Sequence, residues 1–155
     1  MALGCWIALL AVLFLGGCSQ RLADEALLRA ETAFGEQSFE VAQNMLQLAS
    51  TESTDREVAL LHQQSLYLLE MESYRQRGEV DRMLLSWTEI NLIPARGDLI
   101  RDQAVALIRE MIAEACARTV ETNGSQLEVD RARHLHRRLG GFDLFEQDFE
   151  SIRDL

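Results

Sequence analysis

Four arginines fall within eight residues, Arg131-Ala132-Arg133-His134-Leu135-His136-Arg137-Arg138, which is the most uneven charge in the chain. Guanidinium groups at this density are suited to an acidic protein surface or to anionic lipid headgroups. A second use lies close by, because Asp143, Glu146, Asp148, Glu150 and Asp154 follow against Arg153, and the basic run can pair with that acidic tail. Arg131, Arg133, Arg137 and Arg138 are the candidate partner-binding residues. The histidines of the run stand at i and i+2 and do not share a helix face, so they make a poor metal clamp. Asp130 and His134, four apart, suit a solvated pair. The chain carries no metalloprotease helix motif, phosphate-cradling glycine loop or nucleophile elbow. No residue is assigned a catalytic, cofactor-binding or metal-ligating role, and no enzyme is expected.

The cysteines divide by position. Cys116 sits in Met111-Ile112-Ala113-Glu114-Ala115-Cys116-Ala117, a setting that predicts a buried structural thiol. Cys5 and Cys18 belong to an opening apolar stretch, in which every residue between Ala2 and Cys18 is apolar, Gly or Cys. The first charged side chain is Arg21. A membrane span needs about 20 apolar residues. This stretch is shorter and ends in glycines, which suits the apolar core of an export signal. Small residues before a cleavage point also let an extended chain enter a protease cleft. A cut before Cys18 leaves 155 − 17 = 138 residues, enough for one hydrophobic core. That body carries the full formal charge of −10, which disfavours nucleic acid as a partner.

The elements that position these residues read as helices throughout. Residues 21–34 place Leu22, Ala23, Ala26, Leu27, Ala30, Ala33 and Phe34 at three- and four-residue steps, one apolar stripe. Gly35 ends that helix, and Ser38 caps another that runs to about residue 50. The short link makes the two antiparallel. Thr54-Asp55-Arg56-Glu57 has the form of a capping box before a long helix over residues 55–76, which Gly78 interrupts. A shorter helix over residues 79–92 closes at Pro94 and Gly97. Asp98 is placed to cap a helix over residues 99–121, whose broad apolar face predicts a central position. Ser125-Gln126-Leu127-Glu128 is a second capping box, opening a helix over residues 126–139. Phe142, Leu144, Phe145, Phe149 and Ile152 suggest a short terminal helix. Tyr67, Tyr74 and Trp87 are expected between hairpins.

Two resemblances add to this reading. Leu15-Gly16-Gly17-Cys18, at the end of the apolar run, resembles the lipobox of bacterial lipoproteins. The resemblance implies that residues 1–17 are removed, that Cys18 receives a diacylglycerol and an amino-terminal acyl chain, and that residues 18–21 tether a body of residues 22–155. Ser19 after the cysteine implies sorting to the outer membrane with the body in the periplasm. The start, Met1-Ala2-Leu3-Gly4, lacks the basic residue usual in that family.

The long–short helix pairs resemble tetratricopeptide repeats. Tyr67, Tyr74, Gly78, Val80, Met83, Trp87 and Ile90 carry the likeness, with Pro94 near the expected end, and Phe39, Ala42, Leu46 and Ala49 keep the three–four–three spacing. Gly35 falls two residues early, and Met83 and Ile90 stand where the family prefers small residues. The expected fold is all-α: antiparallel helical hairpins stacked as a short solenoid, or a compact helical bundle. The expected role is a non-enzymatic, lipid-anchored interaction scaffold that assists assembly or localisation of a cell-envelope, secretion or pilus complex. Its partners are the membrane, through acyl chains on Cys18, and an envelope protein. The alternatives are an activator or accessory subunit of a cell-wall-acting enzyme, or a small-ligand binder in an interhelical groove.

Overall fold

In a computed structural model the described residues are all-α, forming six α-helices and no strand. The structure describes residues 2–122 and 125–139 together with Phe142, Phe145, Gln147 and Asp148; for residues 2–18 it describes the helical backbone alone. The helices are α1 (Ala2–Gly35), α2 (Phe39–Glu52), α3 (Arg56–Arg77), α4 (Val80–Leu92), α5 (Leu99–Glu121) and α6 (Gln126–Leu139).

Consecutive helices pack against one another, and α3 also lies against α5. The result is a row of hairpins rather than one ring, with α3 packed against α2, α4 and α5, and α5 against α3, α4 and α6. The expected central position of α5 is therefore shared with α3. The α1–α2 pair is built on small residues. Ala23, Ala26, Ala30 and Ala33 are buried along α1, and Ala42 and Ala49 along α2, so the two backbones can approach closely. Ala26, Ala49 and Val58 form a small cluster that ties α3 to this pair. The main core then runs from Phe34, Phe39 and Leu46 through Leu68, Met71, Met83 and Ile90 to Ile100, Ile108 and Ile112. Leu135, Leu139 and Phe145 close its far side.

Several local features differ from the sequence expectations. The first helix starts at Ala2 rather than near residue 21, so Leu15–Cys18 and residues 18–21 are helical. The backbone hydrogen bonds of the body helix continue upstream through Gly16 and Gly17, each of which costs about 1 kcal/mol relative to alanine. Asp55 rather than Thr54 caps α3, its carboxylate accepting from the Glu57 amide at 2.9 Å. The capping box does not close because the Glu57 carboxylate accepts from the Arg96 amide instead. Ser38 and Asp98 occupy the cap positions expected of them, but neither side chain makes a capping bond. Asp98 turns to Arg101 at 3.2 Å. The proposed terminal helix falls largely outside the described residues; Phe145, Gln147 and Asp148 have 3₁₀ geometry.

Candidate functional site

A cleft of ≈ 910 Å³ opens where the α3–α4 link meets the second half of α5 and the outer side of α6. Three local structures build it. Gly78 takes a left-handed conformation (φ 70°) and ends α3 sharply. The Gly78 amide donates to Arg75 at 3.0 Å and the Glu79 amide to Tyr74 at 2.9 Å, the paired bonds of a Schellman stop. The chain then reverses into α4, which carries Asp81 and Arg82. Past the α5 apolar face, Glu114 and Arg118 point to the same space. From the third side α6 packs on Val129, Ala132 and Leu135, which leaves its arginines outward.

Six arginines line the cleft: Arg75, Arg77, Arg82, Arg118, Arg131 and Arg137. Five carboxylates share it: Glu79, Asp81, Glu114, Glu128 and Asp130. The two signs are not equally presented. Arg131 is held by Glu128 at 2.7 Å, and the arginine side chain is 57% exposed against 14% for its partner. Arg82 bonds Glu79 at 3.0 Å with 65% exposure against 34%. In these two pairs the carboxylate lies inward and the guanidinium outward, whereas Asp81 (55% exposed) and Glu114 (48%) are about as accessible as Arg138 and Arg118, which they meet.

Arg75, at 19% exposure, acts as a brace. It bonds Glu72 at 2.9 Å on its own helix and Glu114 at 2.7 Å on α5. The Arg75 hydrogen bond holds the Glu72 carboxyl below its ordinary range, against the opposing effect of burial. The same bond raises the Arg75 guanidinium. Tyr74 lies beneath two of the cations, 4.9 Å from Arg77 and 5.9 Å from Arg82.

The structure separates the candidate arginines. Arg131 and Arg137 line the cleft. Arg138 bonds Asp81 across to α4 at 2.6 Å. Arg133 is exposed on α6 and, like His136, is engaged in an interaction of its own. The pairing expected between Asp130 and His134 is not the one formed. His134 stands 3.9 Å from Asp81, and Asp130 accepts from Gln126 at 3.0 Å. Of the acidic tail, Asp148 meets Arg109 on α5 at 3.3 Å; Asp143, Glu146, Glu150 and Asp154 lie outside the described residues. Trp87 is buried and stacks edge-on to Phe142 and Phe145, at 4.9 and 5.8 Å. Cys116 is half-buried against the core.

Sequence reasoning missed Arg75, Arg82, Arg118 and Asp81. They come from three helices, and no local spacing brings them together. The interruption at Gly78 was the available signal, because it places Arg77 and Arg82 on either side of one turn.

At the opposite end of the stack, the residue after Cys18 is fixed in place. The Ser19 hydroxyl lies 2.7 Å from the Glu52 carbonyl and 2.9 Å from its carboxylate, joining the start of the body to the end of α2. Among the described residues no helix is long and apolar enough to cross a membrane, and no group of His, Cys, Asp and Glu could hold a metal ion. No protein-family model, curated protein or solved structure matches this chain.

Proposed function

We propose that this chain is a lipid-anchored interaction scaffold of the bacterial cell envelope. Its attachment is through acyl chains on Cys18, its address the outer membrane, and its helical body binds a protein partner in the periplasm. The role is assembly or localisation of a larger envelope complex, without catalysis. The anchoring half of this reading rests on Leu15-Gly16-Gly17-Cys18 and Ser19.

The observation that carries the binding half is the cleft. It is an open charged groove between stacked hairpins, lined by six arginines, of which Arg82 and Arg131 project outward over inward carboxylates. Planar guanidiniums fixed in this way present ready hydrogen-bond forks to carboxylates on a partner. Leu127, which is 61% exposed, adds an apolar contact at the rim. An acidic segment flanked by an apolar side chain fits these features.

A photo-crosslinking residue in place of Leu127 tests this in intact cells. The expected result is a discrete crosslinked partner that disappears in the double variant Arg131→Glu, Arg137→Glu, while circular dichroism stays unchanged. A crosslinked partner that persists in a folded double variant contradicts the cleft as the binding surface.

A further inference from the structure

The Ser19–Glu52 contact bears on how the body meets the membrane. We propose that the stack stands directly on the bilayer surface with no free tether, its Ser19–Glu52 end against the headgroups and its arginine cleft held away from them. This deepens the proposed function and rests on Cys18 being the lipid-bearing residue.

Ser19 is already inside α1, half-buried, with its one hydroxyl proton within reach of both the carbonyl and a carboxylate oxygen of Glu52 at the end of α2. It directly follows Cys18, and adjacent Cα atoms lie about 3.8 Å apart. Acyl chains on Cys18 therefore enter the bilayer within about 10 Å of Glu52. The chain segments that surround this point are the α2–α3 link, Ser53 to Asp55, and the turn of α1 that follows Ser19. That turn exposes Leu22 over 51% of its surface, beside Arg21. An apolar side chain next to a cation suits the headgroup boundary. Ala26, Ala49 and Val58 pack just behind, so the end is held by the core and not by a loop.

The cleft lies at the other end. The body part of α1 runs from Ser19 to Gly35, about 25 Å at 1.5 Å per residue. Gln37, just beyond it, bonds Glu110 at 3.0 Å. Arg75 reaches the same Glu110 at 3.8 Å, which puts the α1–α2 link and the α3–α4 link at a common end. A partner bound in the cleft is then received about 25 Å above the surface rather than against the lipid.

The test uses the full-length protein purified from membranes, with Cys116→Ala so that one introduced thiol can be labelled. A fluorophore is placed either at Thr54→Cys, beside Glu52, or at Glu36→Cys, at the far end. Each protein is reconstituted in phosphatidylethanolamine–phosphatidylglycerol vesicles whose headgroups carry a spin-label quencher. Mass spectrometry of the amino-terminal peptide comes first.

With Cys18 acylated, the expected result is strong quenching at Thr54 and none at Glu36. A Gly/Ser insert of about eight residues between Cys18 and Ser19, with a reach of about 15 Å, should then release most of the Thr54 quenching. Acylated protein with equal quenching at the two positions, or quenching unaffected by the insert, overturns the direct seating alone. An unmodified Cys18 overturns the lipoprotein reading and this one with it.

Discussion

Gly78 shows how one residue controls the site. Its φ of 70° lets α3 stop and α4 begin within two residues, and this turn forms one wall of the cleft. A Cβ there would meet nothing within 4 Å, so the cost of a side chain is conformational alone. Gly78→Ala is expected to destabilise by about 1–2 kcal/mol, the left-handed penalty for an L residue. Gly97 also has open space around it but no left-handed φ. Gly97→Ala should therefore be neutral or stabilise by up to about 1 kcal/mol. Urea unfolding of the two variants checks both signs, and equal effects would contradict the assignment. Gly78 was legible in the sequence because a glycine between two helical patterns is itself the signal for a stop. The cap of α3 was not. Thr54 and Asp55 both fit, and the outcome turned on Glu57 being drawn to the Arg96 amide, a contact 39 residues away.

At the scale of elements, the α2–α3 seam carries a pH dependence. The His62 Nε2 lies 3.3 Å from the Gln43 amide nitrogen, and its Nδ1 lies 3.5 Å from the Ser50 hydroxyl. An amide donor on Nε2 requires that nitrogen to be unprotonated, so the neutral imidazole with hydrogen on Nδ1 fits the seam. Burial holds the His62 pKa below its ordinary 6.5. A group whose folded pKa is lowered contributes stability above its unfolded value and loses it as pH falls through the folded one. Thermal midpoints should therefore begin to fall below pH 6.5, with a further fall below 4.5 as the Glu72 contribution is lost. His62→Gln should flatten the first part of that fall and leave the second. An unchanged slope in this variant would show that the seam does not titrate.

Helix existence and order were readable from periodicity, because each helix buries one stripe. Their ends were less readable. The upstream limit of α1 could not be inferred, since a uniformly apolar run has no period to mark where packing begins.

For the whole molecule, the hairpin pattern anticipated a row of helix pairs, and the extensive contacts between sequence neighbours have that form. The all-α class follows from the same stripes. The sites were legible in part. Cys18 and the arginine run stand out as local sequence, but only the counter-charge of Arg131, Glu128, is local, whereas that of Arg138, Asp81, arrives from α4. The Ser19–Glu52 contact spans 33 residues and depends on how α1 and α2 are registered through their alanines, which spacing alone does not fix. On the proposed function, the two ends of the stack carry separate tasks, attachment at one and recognition at the other.

Attachment is the premise for both, and the amino-terminal peptide of the protein extracted from native membranes tests it most directly. Mass spectrometry should find Cys18 as the first residue, carrying a diacylglycerol and an amide-linked acyl chain, and Cys18→Ser should abolish the acyl mass and membrane retention together. An intact leader with a free Cys18 thiol, or full retention of the serine variant, would contradict the account.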